Sequence, residues 1–241
     1  MHKRGQVTLF IILGIVIIVA VVIFFYVKSN NLNVPFFSTN IFSGLDHNIE
    51  TCVEEVAVDG LYLTGMQGGY YKIIGKQEHY LNYNIPYYDK PITKEDFSSE
   101  LQDYINDNLY NCVTLDSFSS QNFSIKTGKV YSKVDINPKK LVIKVDPKVT
   151  ASKDSSVTSF GPYTKDVNFD YFEILNITKT IVGSESSIPM GLLTSLADDK
   201  NFKFDITMLN NNTVLYVLFF NNTIKSDNLY KFAFVRKYDW K

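Results

Sequence analysis

The stretch Phe202–Phe220, FKFDITMLNNNTVLYVLFF, decides the fold class of this chain. Two strand-like segments flank the turn Asn210-Asn211-Asn212, and a third, Leu229–Tyr238, follows after a second pair of asparagines. Short strands joined by tight turns form antiparallel sheets. The C-terminal part of the chain is therefore predicted to form a three-stranded meander.

Further strand signals precede this meander. Val130–Ile136 alternates between apolar and polar residues, Leu141–Val145 is a short apolar run, and Asn137-Pro138 between them is typical of a turn. Three more predictions complete this part of the chain: a strand at Phe169–Ile177, a surface loop at 150–165, and a short helix at 188–198 with Pro189 near its start.

The part of the chain before residue 118 has helical periodicity instead. In 46–64 the apolar residues recur every three or four positions, Asp46 is a candidate N-cap, and the Gly-rich segment 65–69 ends the helix. A second helix is predicted over 94–113, after Thr93 as its cap. Between the helices, 70–74 and 78–83 predict a short hairpin that turns at 75–77.

Each predicted helix carries one cysteine on its apolar face, Cys52 on the first and Cys112 on the second. Two interpretations are open: two small buried apolar side chains, or a disulfide that joins the helices. An extracytosolic location favours the disulfide, and two cysteines allow only one pairing.

The elements together predict an α+β fold in which two helices pack near a mostly antiparallel sheet. We expect one extracytosolic domain over 36–241, with an α-rich half at 36–118 and a β-rich half at 119–241. The halves could also be separate domains, but no long linker divides them.

A different segment predicts where the protein resides. Val7–Val27 is an uncharged apolar run, and a helix of this length spans about 31 Å, which matches the hydrocarbon core of a bilayer. The alternatives are a buried core helix and a cleaved secretory signal, but a signal has a shorter apolar region and small residues at its exit. We expect 1–28 to be a leader and a single transmembrane anchor, with the lipid bilayer as the partner of 7–27.

The charges beside this run predict its orientation. Lys3 and Arg4 precede it and Lys28 follows it. The positive-inside rule therefore places the N-terminus in the cytoplasm and 29–241 outside the cell membrane.

The leader resembles a known class of signal peptide. Lys3-Arg4-Gly5-Gln6 followed by an Ile/Val-rich span is similar to the archaeal class III, pilin-like signal peptide, in which a prepilin peptidase cuts between Gly and Gln. The resemblance implies cleavage between Gly5 and Gln6 and retention of the apolar helix. It covers about the first 27 residues. The chain departs from many pilins at Phe10, where they carry Glu, and at Pro35, where a pilin helix usually continues. More loosely, the chain resembles archaeal envelope proteins that combine this leader with a Cys-containing helix and a Gly-Gly-Tyr turn.

Charge and motifs exclude several functions. The net charge is −1 and the pI is about 6.3, so the basic surface of a nucleic-acid-binding protein is missing. His47 and His79 are far apart in the sequence and have no metal-ligand spacing. No hydrolase, zinc-protease, Walker or dinucleotide motif occurs. The sequence therefore predicts no catalytic, cofactor or metal residue, and an enzyme is not the favoured class.

The region between the helices is rich in tyrosine. Tyrosine-rich loops bind proteins or sugars, because Tyr offers a large face and a hydroxyl at a low entropy cost. The alternative is that half of these rings face the core. The candidates for contact with a protein or glycan partner are Tyr70, Tyr71, Tyr80, Tyr83, Tyr87 and Tyr88.

Four N-x-S/T sequons occur, at Asn122, Asn176, Asn211 and Asn221. Asn211 and Asn221 lie in predicted turns and are the better candidates for glycosylation.

These observations predict a single-pass, membrane-anchored cell-envelope protein with an outward-facing interaction or structural domain. Two alternatives stay open, a pilin-like filament subunit and an envelope hydrolase whose site has no recognisable motif. The sequence does not predict an oligomeric state.

Overall fold

A computed structural model of the chain describes residues 42–112, 123–184, 187–200, 202–220 and 229–240. The chain divides into two compact units, 1–43 and 44–241, and nearly all described residues belong to the second. The fold is α+β, as predicted, and all strands within the described sheets pair antiparallel.

The elements follow in chain order. The helices are α1 (Ser43–Met66), α2 (Lys94–Cys112), α3 (Tyr171–Val182) and α4 (Met190–Lys200). The strands are β1 (Gln77–Tyr80), β2 (Tyr83–Pro86), β3 (Ser124–Thr127), β4 (Tyr131–Asn137), β5 (Lys140–Asp146), β6 (Val149–Lys153), β7 (Ser156–Phe160), β8 (Tyr163–Asn168), β9 (Phe202–Asn210), β10 (Thr213–Phe220) and β11 (Tyr230–Lys237).

The predicted C-terminal meander is confirmed. Its sheet has the order β11-β10-β9, and β10 is buried along almost its whole length. In the turn from β9 to β10, the Asn212 amide donates to the Asn210 side chain at 3.2 Å. The free edge of β11 meets the segment after β2, where Tyr87 and Val235 form a parallel bridge. This contact brings the tyrosine-rich region onto the meander.

Strands β3 to β8 form a second β region, in which the predicted loop at 150–165 was wrong. The orders β4-β5-β8 and β3-β6-β7 describe two three-stranded sheets, and the chain passes from β5 to β6 at Pro147 and from β7 to β8 at a cis Gly161-Pro162 bond. The loop prediction failed because Ser and Thr dominate 150–165. Those residues alternate with buried Ala151 and Phe160, so their polar side chains occupy the more exposed positions of real strands.

The strand predicted at Phe169–Ile177 was also wrong, since most of this segment lies in α3. Its aromatic and β-branched residues favoured a strand, but the Asp170 carboxylate accepts the Glu173 amide at 3.0 Å and caps a helix. The buried residues Tyr171, Ile174 and Thr178 then follow helical spacing. The short helix predicted at 188–198 is confirmed as α4.

Both N-terminal helices are confirmed, although α1 begins before its predicted cap. Asp46 lies inside the first turn, and its carboxylate accepts the Tyr163 hydroxyl of β8 at 2.6 Å. Thr93 caps α2 as predicted, because its hydroxyl accepts the Asp96 amide at 3.1 Å.

The helices α1 and α2 meet at Gly60, where a Cβ would lie 2.5 Å from the Tyr104 ring. Cys52 precedes Gly60 by eight residues, and Cys112 follows Tyr104 by eight. In two antiparallel helices that meet at Gly60 and Tyr104, equal spacings of this kind place the two cysteines side by side. Cys52 is disulfide-bonded, and Cys112 is the only other cysteine in the sequence.

Within the described ranges, no helix is long and apolar enough to cross a bilayer. The predicted span at 7–27 and the predicted cleavage site at Gly5 and Gln6 lie outside those ranges.

Candidate functional site: a tyrosine-lined pocket beside the first hairpin

After α1, a glycine-containing turn leads from the buried end of the helix to the more exposed segment 70–76. Gly68 and Gly69 both have positive φ, 61° and 93°, which L-residues with a Cβ rarely adopt. The Gly69 amide donates to the Thr64 carbonyl at 2.6 Å and closes the helix end. A Cβ at Gly69 would also lie 2.9 Å from the Ile92 side chain, so the position requires glycine for space as well.

The segment 70–76 that follows is held by one side chain of α2 and one side chain of the turn after α1. The Glu100 carboxylate of α2 accepts the amides of Tyr71 and Lys72 at 2.8 and 3.1 Å. The Gln67 amide group donates to the carbonyls of Tyr70 and Tyr71 at 3.0 and 3.1 Å. Because these bonds take the backbone groups that a strand partner would use, the strand predicted at 70–74 was wrong. The hairpin forms later, between β1 and β2, and turns at 81–82.

A pocket of about 290 Å³ lies between this segment, the end of β2 and α2. Its volume is at the small end of the range for ligand-binding pockets. Its lining combines rings, aliphatic side chains and charges: Tyr70, Lys72, Ile73, Ile74, Lys76, Pro86, Tyr87, Asp89 and Glu100.

The rim of the pocket carries an unusual apolar side chain. Ile74 is 97% exposed beside Gly75, whose φ is 119° and where an added Cβ would meet nothing within 4 Å. A nearly fully exposed Ile at the mouth of a pocket places apolar surface where a bound molecule would cover it.

Both lysines of the pocket have partners within the protein. The Lys72 ammonium lies 2.7 Å from the Asp107 carboxylate, and this hydrogen bond is the main cause of the raised pKa of Lys72. The Lys76 ammonium lies 4.1 Å from the centroid of the Tyr87 ring, a cation–π contact. Asp89 is exposed.

The two phenols that line the pocket stay neutral at ordinary pH. Burial raises the pKa of Tyr70, and the carboxylates of Asp96 and Glu100 raise it further. Burial also raises the pKa of Tyr87, whose hydroxyl donates to Glu78. Both hydroxyls therefore carry a proton.

The structure divides the six predicted tyrosines into different environments. Tyr70 and Tyr87 line the pocket, and Tyr71 packs edge-on against Tyr104 at 5.2 Å between centroids. Tyr80 and Tyr83 are cross-strand partners on the hairpin and pack against a buried cluster around Leu215 and Val217.

The sixth, Tyr88, belongs to the core. It is 2% exposed, stacks on Phe234 at 4.9 Å and donates its hydroxyl to the Gly68 carbonyl. Its contacts fix the loop on which its neighbour Tyr87 is carried.

Several pocket residues had not been predicted. The sequence Lys72-Ile73-Ile74-Gly75-Lys76 offered a signal: the two isoleucines lie between lysines and next to a glycine, a context that favours exposure of at least one of them. Glu100 offered none, since it is one of several acidic residues on an exposed helix face.

The remaining predicted sites are placed as follows. Asn176 is exposed on α3, but its sequon residue Thr178 is buried and donates to the Ile174 carbonyl at 2.7 Å. Asn211 is exposed in the turn between β9 and β10. Asn122 and Asn221 lie outside the described residues.

The part of the chain that the structure describes contains no group of three or more His, Cys, Asp and Glu side chains that could hold a metal ion. His79 contacts Asn84 across the hairpin at 3.3 Å.

Two other depressions occur on the described residues. One, of about 230 Å³, lies between α3 and Leu196, and its lining mixes polar and apolar side chains. The other, of about 630 Å³, is a broad groove between α2 and the β4–β5 hairpin, where Lys133 pairs with Asp135 at 2.8 Å on a solvated face.

No known protein family, curated protein or solved structure matches the chain.

Proposed function

We propose that this protein is anchored in the cell membrane by 7–27 and that its outward-facing α+β domain binds a partner or ligand at the tyrosine-lined pocket. The observation that supports binding is the pocket itself: Glu100 holds its wall in place through two backbone amides, and Ile74 at its rim is exposed. A preformed wall lowers the entropy cost of binding.

The location is supported by independent features. The run 7–27 has the length and composition of a membrane span, and the leader before it resembles a class III signal peptide. The disulfide at Cys52 agrees with an oxidising compartment, because disulfides persist outside the cytosol.

Two cysteine variants of the full chain test location and binding together. Ile74→Cys places a thiol at the pocket rim, and Tyr131→Cys places one on β4, where Tyr131 is 66% exposed and away from the pocket. Intact cells are treated with a membrane-impermeant maleimide, and the purified proteins are treated in the same way.

We expect both thiols to react in intact cells, and the thiol of Ile74→Cys to react more slowly in cells than after purification. The matched variant Tyr131→Cys should react at similar rates in both. Labelling only after lysis would refute the outward location. Equal protection of the two thiols would refute binding at the pocket.

The pilin-like alternative predicts a different fractionation. An anchored protein is recovered with membranes and released by detergent, whereas a filament subunit is recovered in sheared filaments. Recovery in the sheared fraction would refute the membrane-anchor proposal and would favour a filament whose core is built from the apolar helices.

A further inference from the structure

The charges of the pocket balance one another. The lining includes two lysines, Lys72 and Lys76, and two carboxylates, Asp89 and Glu100, so its formal net charge is zero. A cation or an anion would therefore meet both attractive and repulsive charges there. The balance favours a ligand with no net charge.

These charges are also partly satisfied within the protein. The Lys72 ammonium is bonded to Asp107, and one oxygen of Glu100 accepts two amides. What remains is hydrogen-bonding capacity of both kinds: acceptors on Asp89 and Glu100, and donors on Lys76 and the Tyr70 hydroxyl. A polyhydroxylated molecule uses both kinds at once, because each hydroxyl donates one hydrogen bond and accepts others.

The rest of the lining is apolar. Ile73, Ile74 and Pro86 offer aliphatic surface, and Tyr70 and Tyr87 offer rings. A pyranose has the matching surface, with C–H groups on its faces and hydroxyls around its edge. A volume of about 290 Å³ suits one such unit rather than a long chain.

We infer that the pocket binds a single neutral pyranose unit, either a free sugar or one residue of an envelope glycan. This inference rests on the proposal that the pocket is a binding site, and it names the ligand class. Asp89 and Glu100 accept from the sugar hydroxyls, and Ile74 covers a C–H face.

The test uses the full chain in a detergent without a sugar headgroup, such as an amine oxide. The probes are the methyl glycosides of glucose, galactose, mannose and N-acetylglucosamine, with glucosamine and glucuronate as charged analogues. Binding is measured by saturation-transfer NMR and by titration.

We expect at least one neutral glycoside to bind and the charged analogues to bind more weakly. Asp89→Ala and Glu100→Gln should each weaken the affinity at least tenfold, as expected for the loss of a hydrogen bond to a charged group. The matched control is Asp103→Asn, an exposed carboxylate on α2 outside the pocket lining, and it should bind like the wild type.

Two outcomes would overturn the inference: no binding of any neutral glycoside, or equal affinity in the wild type and Asp89→Ala. Oligosaccharides distinguish the two sources, because much tighter binding of longer chains indicates a glycan and equal binding indicates a free sugar. If no glycoside binds but the Ile74→Cys thiol is labelled from outside and protected in cells, only the sugar inference is refuted and the proposed binding site stands. Labelling only after lysis removes the proposed location whatever the sugar result.

Discussion

Replacing Gly65 by alanine should destabilise the fold at the point where α1 crosses β11. A Cβ at Gly65 would collide with the Lys231 backbone carbonyl and would lie 2.6 Å from the Tyr230 hydroxyl. The carbonyl cannot withdraw easily, because β11 is paired with β10 along its length and Lys231 faces Phe219 in that register.

The magnitude follows from two opposing terms. Overpacking of a rigid site costs about 1–3 kcal/mol, and the upper part of this range applies where the obstacle is backbone. Alanine in place of glycine in a helix returns up to about 1 kcal/mol. We expect a net loss of about 2 kcal/mol in the free energy of unfolding, or roughly 4–8 °C in Tm for a domain of this size.

The assay is thermal unfolding of the full chain in detergent, followed by circular dichroism. Gly191→Ala in α4 is the matched control, since nothing lies within 4 Å of its added Cβ. This control should gain up to about 1 kcal/mol. A Gly65→Ala protein as stable as Gly191→Ala would show that α1 and β11 do not approach each other in this way.

Three further predictions concern buried polar groups and the disulfide. Tyr230→Phe should stabilise the fold by about 1 kcal/mol in urea unfolding, because the buried Tyr230 hydroxyl has no hydrogen-bond partner among the described residues. Tyr88→Phe should instead destabilise the fold, because it removes the hydrogen bond to the Gly68 carbonyl. Burial raises the pKa of Tyr88, Tyr171 and Tyr230, so the folded state holds their protons more tightly than the unfolded state does. The free energy of unfolding should therefore be unaffected by these groups below pH 10 and should fall above it by about 4 kcal/mol per pH unit for three phenols. Unfolding monitored by phenolate absorbance checks this slope, and a flat profile contradicts it. Reduction of the disulfide at Cys52 should lower stability by about 4 kcal/mol for a loop of this length, and unchanged unfolding in the presence of reductant would contradict this value.

Where the sequence predicted an element correctly, local chemistry and tertiary packing agreed. The meander follows from the turn at Asn210-Asn211-Asn212 and the apolar strands beside it, and α2 is defined by Thr93 and its apolar stripe. The errors arose where composition misled: Ser and Thr in 150–165 suggested a loop, and aromatic and β-branched residues in Phe169–Ile177 suggested a strand. In both segments a position-specific feature prevailed, alternating burial in β6 and the Asp170 cap in α3.

The pocket was only partly predictable, for a reason that bears on its function. Tyrosine enrichment pointed to the correct region, but burial then separated Tyr88 from Tyr70 and Tyr87, which no sequence pattern indicated. The group that shapes the pocket, Glu100, is 28 and 29 residues from the amides that it holds, so its role depends on how α2 docks. Because the Glu100 carboxylate both holds the backbone of 71–72 and lines the pocket, ligand binding depends on how α2 packs against this segment. Glu100→Gln should therefore weaken sugar binding more than Asp89→Ala does, because it also loosens the segment that carries Ile74.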